Sequence, residues 1–332
     1  MSRRVRVLFC GHEFPAGHAK TLEYVRDHGL DVDVDRCARE DVPERIADAD
    51  IAVPLMTRLD ATALERGAAG SLRLVLQFGV GLEGVDVDAA SRLGVRVGRI
   101  PSERTGNASS TAEMAVFLLL AALRRANEMA ASVAAKTLGD PLGRALEDCE
   151  VMIVGWGAIG VKIGERLRPF GCSMTAARRG RWEATEEAKA LGLRDACSIG
   201  DEGRFKEMLG AADAVVIACT QDASNRGMID ATFLASMKKG AILVNIARGG
   251  LFNRDDLLDA LNSRQLGYLA SDVAWSEPVD PQDDVVKHPN AYFTPHVGGV
   301  TEFSYETMGR IMATSAAAFD RFEELEDIQI VN

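Results

Sequence analysis

The segment that decides the fold is Glu150-Val-Met-Ile-Val-Gly155-Trp-Gly-Ala-Ile-Gly160, which is followed by a helical pattern over residues 161–167. Its apolar run is typical of a buried strand. Glycines after such a strand permit a tight turn, approach of a pyrophosphate to the backbone, and close packing of helix on strand. The N–H groups and dipole of the helix attract phosphate. The predicted dinucleotide-binding residues are Gly155, Gly157, Ala158, Ile159 and Gly160.

The next predicted strand ends in basic residues. In NAD-binding domains a carboxylate at this position accepts hydrogen bonds from the ribose 2′-OH. Here Arg178 and Arg179 occupy it. A carboxylate would repel a 2′-phosphate, whereas guanidinium groups pair with one. The sequence therefore favours NADP(H) as the cofactor, with NAD as the alternative. The two arginines could also form a solvated basic loop end that binds no cofactor.

Short β-rich runs alternate with helical patterns along the chain. This alternation predicts βαβ units and mostly parallel sheets. Several runs are apolar throughout, as expected of strands covered by helices on both faces. The predicted fold class is α/β, with two Rossmann-like, doubly wound parallel-sheet domains. The predicted strands are 5–10, 51–55, 72–78, 95–100, 151–155, 174–177, 214–218, 241–246, 268–273 and 291–294.

Two junctions divide the chain into domains. Pro101 and Gly106 break it before a helical pattern over residues 112–135, which Thr111 or one of the two preceding serines can cap. The second junction follows Gly299, after which residues 301–324 have the pattern of one helix. We expect a discontinuous substrate domain of residues 1–106 and 300–332 around an NAD(P)-binding domain of residues 107–299. The crevice between the domains is expected to hold the substrate.

The composition argues against several classes of partner. A net charge of −11 provides no basic field to attract nucleic acid or an anionic membrane surface. The longest apolar run, residues 114–123, is shorter than the roughly 18 residues of a membrane span. No secretion signal is evident at the start. The six cysteines show no metal-ligand spacing, so we expect no metal site and a reducing, cytoplasmic compartment.

Three later segments place polar residues near the carboxyl ends of strands, where open α/β sheets bind ligands. They are Asn245-Ile-Ala-Arg248-Gly-Gly-Leu251, Asp272-Val-Ala-Trp-Ser-Glu277-Pro278 and Thr294-Pro-His296. Together with Gly79-Val-Gly81-Leu-Glu-Gly-Val-Asp86 and the glycine turn, they resemble the D-2-hydroxyacid dehydrogenase family. That family includes glyoxylate and hydroxypyruvate reductases, phosphoglycerate dehydrogenases and D-lactate dehydrogenases. The resemblance covers nearly the whole chain.

The resemblance implies hydride transfer between nicotinamide and C2 of a small 2-oxo acid, with a role for each catalytic residue. Arg248 would bind the substrate carboxylate and the C2 oxygen, a task suited to a fixed fork of donors. His296 would exchange a proton with that oxygen, since imidazole titrates near neutral pH. Glu277 would accept a hydrogen bond from His296 and favour its charged form. No metal is required, because Arg248 and His296 stabilise the developing alkoxide.

The resemblance also implies further binding residues and a homodimer. Backbone N–H groups of Val80 and Gly81 would bind the substrate carboxylate, and Met56 would contribute to an apolar pocket wall. With no arginine or lysine cluster there, glyoxylate, hydroxypyruvate or a larger apolar oxo acid is favoured over phosphoglycerate. The remaining cofactor contacts are expected from Thr111, Cys219, Thr220, Ile246, Asp272 and Gly298.

Two alternatives stay open at the level of sequence. One is oxidation of phosphite on the same scaffold. The other, from a different class of function, is a dinucleotide-sensing corepressor that binds protein partners. The complete set of Arg248, Glu277 and His296 favours an enzyme. Formate dehydrogenases of the superfamily pair the histidine with glutamine, so Glu277 argues against a substrate with no proton to transfer.

Overall fold

The computed structural model describes residues 3–182, 185–319 and 326–332. Its strands are β1 (Val5–Cys10), β2 (Val32–Cys37), β3 (Ile51–Val53), β4 (Leu74–Gln77), β5 (Arg96–Arg99), β6 (Glu150–Val154), β7 (Ser173–Arg178), β8 (Leu193–Ser198), β9 (Ala214–Ile217), β10 (Ala241–Asn245), β11 (Leu266–Ser271), β12 (Ala291–Phe293) and β13 (Gln329–Ile330).

The helices alternate with these strands. The α-helices are α1 (Pro15–Asp27), α2 (Val42–Arg45), α3 (Ala61–Ala69), α4 (Val87–Arg92), α5 (Asn107–Leu123), α6 (Ala126–Ala135), α7 (Ala158–Leu167), α8 (Glu186–Ala190), α9 (Glu202–Ala211), α10 (Ala231–Ser236), α11 (Arg254–Asn262) and α12 (Glu302–Ala317). Short 3-10 helices occur at Arg39–Asp41, Ile46–Asp48, Arg168–Phe170 and Gly249–Leu251.

The chain divides into two compact units. One comprises Met1–Asn107 with Val300–Asn332, and the other Ala108–Gly299. The first boundary thus lies one residue beyond the expected one. The functional roles expected of the two units, substrate and cofactor binding, remain predictions.

The unit Ala108–Gly299 contains a parallel sheet in the order β12-β11-β10-β9-β6-β7-β8. The direction of strand succession reverses between β6 and β9, which is the point where doubly wound sheets bind dinucleotides. Both faces of the sheet are covered. Along β6, Met152 and Val154 belong to one apolar core and Val151 and Ile153 to another. The predicted α/β class with Rossmann-like domains is confirmed.

The discontinuous unit has its own sheet, in the order β13-β5-β4-β3-β1-β2. All its pairings are parallel except that of β13 with β5. Cores lie on both faces, so that Val7 and Phe9 of β1 pack on one side and Leu8 and Cys10 on the other. The order of β1 to β5 is that of flavodoxin-like sheets, which also bind ligands at the carboxyl edge.

Three strands have no counterpart among the predicted ones: β2, β8 and β13. Both β2 and β8 lie at sheet edges, and β13 pairs only with β5. An edge strand exposes polar side chains, as Val-Asp-Val-Asp-Arg-Cys of β2 does, and so lacks the continuous apolar run that identified the central strands. The ten predicted strands are all present, with ends displaced by up to two residues.

The predicted helix over residues 112–135 is wrong in two respects. Helix α5 begins at Asn107, so Thr111 and the two serines before it lie within the helix and cannot cap it. A left-handed Arg125, with φ of 56°, then separates α5 from α6. The amide of Asn127 donates hydrogen bonds to the carbonyls of Pro289 and Ala291, at 3.1 and 2.7 Å. These tertiary contacts direct α6 along the edge of the sheet, which local sequence does not encode.

The helix expected over residues 301–324 begins after its cap Thr301 and ends at Ala317. Residues 320–324 of that prediction lie outside the described part of the chain. Across the described residues, the model contains no helix with both the length and the apolar character of a membrane span.

Candidate active site

The glycine turn joins β6 to α7 and is shaped as a phosphate cradle requires. Gly155 has φ of 112°, and a Cβ on it would overlap the backbone of Ala218 and Cys219. A Cβ on Gly160 would overlap the carbonyl of Gly155. Gly157, in contrast, faces open space and precedes α7 without a side-chain cap. The turn therefore leaves room for a phosphate beside the uncapped helix N-terminus, and these residues fit a dinucleotide.

The basic residues expected at the end of β7 are in place. Arg178 is its last residue, and its guanidinium lies over the indole of Trp182, 5.4 Å from the ring centroid. Trp182 in turn stacks on Trp156 of the glycine turn, with ring centroids 6.1 Å apart. Arg179 forms an ion pair with Asp222 and donates a hydrogen bond to Thr220 Oγ1 at 3.3 Å. Neither contact selects NADP over NAD by itself.

Arg248 follows β10 and is positioned by a buried asparagine. The fully buried side chain of Asn245 donates to the carbonyl of Arg248 at 3.0 Å and accepts from the N–H of Ala247 at 2.9 Å. The guanidinium also donates to the carbonyl of Ala247 at 2.7 Å. A Cβ on Gly249 would overlap the carbonyl of Ala274, so the Arg248 turn packs tightly against the segment that leads to Glu277.

Glu277 and His296 form the central hydrogen-bonded pair of the site. Oε2 of Glu277 lies 2.7 Å from Nδ1 of His296, and Oε1 accepts the N–H of Ala274 at 3.0 Å. Their side chains are 18% and 28% exposed, so the pair is shielded from water yet reachable. The contact of Nδ1 with Glu277 fixes the orientation of the imidazole ring.

The electrostatics of Glu277 follow from these contacts. Burial acts to raise the pKa of its carboxyl, but the hydrogen bond and charge of His296, the Ala274 N–H and the charge of Arg248 together lower the pKa below its ordinary value. Glu277 is therefore ionised at neutral pH.

Asp272 organises the loop that carries His296. Its side chain is 2% exposed. Oδ1 accepts from Thr294 Oγ1 at 2.6 Å and from the N–H of Val297 at 2.9 Å, while Oδ2 accepts from the N–H of Gly298 at 2.7 Å. Its backbone carbonyl accepts the N–H of His296 at 2.8 Å. These bonds hold His296 at φ of 55°, a left-handed conformation uncommon for residues other than glycine.

The remaining residues expected to bind the cofactor are distributed around the same sheet edge. Cys219 and Thr220 follow β9, and Ile246 follows β10. Gly298 approaches Asp272 so closely that a Cβ would lie 2.8 Å from Oδ2. Thr111 is buried within α5. Their contacts with a cofactor remain predictions.

The expected substrate-binding residues Val80, Gly81 and Met56 belong to the discontinuous unit. Val80 and Gly81 follow β4, and Met56, 39% exposed, follows β3. The turn after β3 has a fixed shape. Leu55 adopts φ of 53°, and its carbonyl accepts a hydrogen bond from Gln77 Nε2 at 3.1 Å.

Sequence reasoning assigned no role to Asn245, Thr294 and Asp222. A signal existed for Asn245, because an asparagine ends the otherwise apolar run Ala241-Ile-Leu-Val. Thr294 stands next to the Pro-His motif, but its bond to Asp272 spans 22 residues. Asp222 lies in the loop after β9 and Arg179 follows β7, so only the order of the strands in the sheet brings the two residues together.

The arrangement can bind an anion with Arg248 and exchange a proton through His296 beside a dinucleotide cradle. No cluster of three or more His, Cys, Asp or Glu side chains suited to a metal ion occurs in the ranges that the structure describes. Fold and site together define the class of Rossmann-type, dinucleotide-dependent oxidoreductases.

Comparisons with known proteins narrow this class. Residues 116–298 match the family described as D-isomer specific 2-hydroxyacid dehydrogenase, NAD binding domain. The chain is 31% identical over 280 residues to glyoxylate reductase/hydroxypyruvate reductase of Mus musculus, covering 82% of this chain and 80% of the relative. It is 28% identical over 298 residues to D-3-phosphoglycerate dehydrogenase of Archaeoglobus fulgidus, covering 89% of this chain and 54% of the relative.

A solved structure agrees with these matches. The TT0316 protein of Thermus thermophilus is 29% identical, with a TM-score of 0.75 and 94% of both chains covered. The protein belongs to the D-isomer specific 2-hydroxyacid dehydrogenase family, and the resemblance identified from its motifs is confirmed. It is an oxidoreductase that acts on CH–OH groups and contains an NAD-binding domain.

Proposed function

We propose that the protein is a 2-oxo acid reductase that prefers NADPH and acts on a small substrate such as glyoxylate or hydroxypyruvate. The observation that carries this proposal is the Glu277–His296 pair, 2.7 Å apart and accompanied by Arg248. Such a pair supplies a proton to a carbonyl oxygen as the oxygen gains negative charge.

Each residue has a defined task in the proposed reduction. Arg248 binds the substrate carboxylate and stabilises charge on the C2 oxygen. Protonated His296 donates from Nε2 to that oxygen, and Glu277 stabilises the charged ring until it does so. In the discontinuous unit, the N–H groups of Val80 and Gly81 bind carboxylate oxygens. The bound nicotinamide cofactor supplies the hydride.

The cofactor preference rests on the end of β7. A carboxylate there would mark NAD, whereas Arg178 and Arg179 offer two guanidinium groups to a 2′-phosphate. NADPH serves cells mainly as a reductant, so this preference also supports reduction as the working direction.

The substrate proposal draws on composition around the first unit's loops and on the relatives. The glyoxylate reductase/hydroxypyruvate reductase relative is covered over 80% of its length, the phosphoglycerate dehydrogenase over 54%. Met56 is exposed and Leu82 is half-buried in the loops after β3 and β4, and we propose them as an apolar wall that suits an unphosphorylated substrate better than a phosphate ester, whereas Leu55 and Phe78 are buried in the core beneath these loops.

The test is consumption of NADPH and NADH, followed at 340 nm, with glyoxylate, hydroxypyruvate, pyruvate, phenylpyruvate and 3-phosphohydroxypyruvate. We expect the highest kcat/KM with NADPH and one of the first two acids. His296→Ala is the control, and loss of the general acid should reduce kcat by about 10²- to 10⁴-fold while dinucleotide binding persists.

Three outcomes would contradict the proposal. Preference for NADH would remove the cofactor assignment, and preference for the phosphorylated acid would remove the substrate assignment. Tight dinucleotide binding without turnover of any acid would favour a dinucleotide sensor.

A further inference from the structure

The ion pair between Arg179 and Asp222 crosses the end of a strand. Arg179 follows β7 and Asp222 lies in the loop after β9, and β6 lies between those strands in the sheet. Strands separated by one neighbour are about 9.6 Å apart, a gap that an arginine side chain spans. Gly155, which follows β6, donates its N–H to the carbonyl of Ala177 and packs against the backbone of Cys219. The pair therefore flanks the phosphate cradle from both sides.

The loop that carries Asp222 is folded by its own hydrogen bonds. Oδ1 of Asp222 accepts from the N–H and the hydroxyl of Ser224, at 2.8 and 2.5 Å. The N–H of Asp222 donates to Asn225 Oδ1 at 2.8 Å, and Asn225 Nδ2 donates to the carbonyl of Thr220 at 2.8 Å. One carboxylate oxygen thus maintains the loop, and the other, Oδ2, meets Arg179.

Asp222 is a fixed negative charge beside the predicted 2′-phosphate site. The hydrogen bonds from Ser224 and then the bond from Arg179 lower its pKa to about 2, so the carboxylate is ionised at neutral pH. The side chains of Arg179 and Asp222 are 57% and 43% exposed. Exposed ion pairs contribute little, and a phosphate dianion that binds a guanidinium can displace such a carboxylate.

The two arginines differ in what holds them. Arg178 rests on Trp182, an aromatic contact that leaves its positive charge uncompensated by that partner. Arg179 is neutralised by Asp222. A 2′-phosphate would therefore pair with Arg178 without displacing a carboxylate, but it would have to compete with Asp222 to pair with Arg179.

We propose that Asp222 is a specificity-determining residue that competes with the 2′-phosphate of NADP(H) for Arg179 and thereby moderates the preference for NADP(H) over NAD(H). This proposal rests on the proposed function, in which Arg178 and Arg179 bind the 2′-phosphate. Asp222 reduces discrimination between the cofactors, and its removal increases discrimination.

The test uses Asp222→Asn, because asparagine keeps the Oδ1 acceptor for Ser224 and replaces the charged Oδ2, which meets Arg179, with an uncharged NH2 group that cannot accept from it. Calorimetry measures the affinities of the full chain for 2′,5′-ADP and for 5′-AMP, two probes that differ by the 2′-phosphate. We expect Asp222→Asn to bind 2′,5′-ADP about two- to fivefold more tightly, the range for loss of one exposed competing pair, with 5′-AMP unchanged.

Two further variants show where the effect arises. Asp148→Asn removes the same charge from an exposed residue that precedes β6, at the sheet edge opposite the cradle, and should leave both affinities unchanged. In an Arg179→Gln background, Asp222→Asn should no longer tighten 2′,5′-ADP binding to the same extent, because the competed group is gone.

The outcomes separate this proposal from the proposed function. If the wild type binds both nucleotides but Asp222→Asn alters neither affinity, the competition is wrong and the reductase assignment stands. Weaker 5′-AMP binding by Asp222→Asn would show instead that Asp222 accepts the ribose 2′-OH, which also overturns the proposal. Failure of the folded wild type to bind either nucleotide would overturn both.

Discussion

Glu277 acts through its charge, and that charge is sustained by the residues around it. A buried carboxylate without partners would tend to be neutral, whereas hydrogen bonds from His296 and Ala274 and the charge of Arg248 keep this one ionised. The site thus places an ionised carboxylate in hydrogen-bond contact with the imidazole of His296.

This balance predicts how stability depends on pH. The pKa of Glu277 is lowered in the folded protein, so its contribution is fully present above the ordinary glutamate value of 4.5 and is lost as pH falls through the folded pKa. We expect Glu277→Gln to lower the free energy of unfolding by about 1–3 kcal/mol at pH 6 and by clearly less at pH 3.5.

Calorimetric melting at the two pH values measures this difference. Glu147→Gln, a substitution at an exposed carboxylate of the same unit, should leave the melting temperature nearly unchanged at both. A Glu277→Gln deficit that grows on acidification would contradict the assignment of an ionised Glu277.

Asp272 was expected to contact the cofactor, and the structure shows that both of its oxygens accept hydrogen bonds within the protein. We therefore predict that Asp272 positions His296. In Asp272→Asn the amide nitrogen cannot accept a hydrogen bond, so either the N–H of Gly298 or both donors from Thr294 and Val297 lose their acceptor, and the loop should shift. A shift of about 1 Å at a reacting group costs on the order of 100-fold in kcat.

The measurement is kcat at saturating NADPH together with the Kd of NADPH from binding. A fall in kcat with the Kd changed by less than about threefold supports positioning, since one lost hydrogen bond to the cofactor would cost more. Thr294→Val, which removes one donor to Asp272, should show a smaller loss. A large rise in Kd with kcat retained would assign Asp272 to the cofactor instead.

At the scale of elements, the turn between β6 and α7 contains one glycine that packing requires and one that borders the predicted phosphate site. Gly160 is required for packing, because a Cβ would overlap the Gly155 carbonyl, whereas Gly157 borders open space. We predict that Gly157→Ala lowers the melting temperature by only a few degrees, since alanine at this N-cap position, where glycine is preferred, costs about 1 kcal/mol.

In Gly157→Ala, dinucleotide binding should change far more than the melting temperature does. A methyl group at Gly157 occupies the cradle, so the Kd of NADPH should rise at least about tenfold, a cost of one hydrogen-bonded contact to a charged group. Gly160→Ala should instead lower the melting temperature. Unchanged NADPH affinity in folded Gly157→Ala would show that the phosphates bind elsewhere.

Elements differed in how far the sequence predicted them. The central strands and the β6 turn were predictable, because a strand buried on both faces is apolar throughout and its turn needs glycine. Edge strand β2 was not, since its acidic residues face solvent. The break at Arg125 depends on the contacts of Asn127 with Pro289 and Ala291, which sequence patterns do not show.

The residues that are proposed to be catalytic could be predicted from their types and motifs, whereas their geometry could not. Arg248, Glu277 and His296 stood out as polar residues at the ends of predicted strands. The left-handed conformation of His296 and the use of Asp272 as an internal acceptor arise from long-range hydrogen bonds. The Arg179–Asp222 pair likewise requires the order of strands β9, β6 and β7.

At the scale of the whole molecule, two units with separate cores share one chain. The unit Ala108–Gly299 holds Arg248, Glu277 and His296 together, and the unit that begins and ends the chain holds Val80, Gly81 and Met56. The structure of one unit therefore contains all three residues that are proposed to act on the substrate at C2. The proposed wall around the substrate's side chain belongs to the other unit, so a substrate assay identifies that side chain.

The central claim is that the protein transfers hydride to C2 of a 2-oxo acid while His296 protonates the oxygen, giving a D-product. We would use NADPH carrying two deuterium atoms at C4 of the nicotinamide, with hydroxypyruvate, and examine the product by mass spectrometry and chiral chromatography. We expect D-glycerate with one deuterium at C2 for each cofactor oxidised, formed at least about 100-fold more slowly by His296→Ala. An L-product, or cofactor oxidation without deuterium at C2, would contradict it.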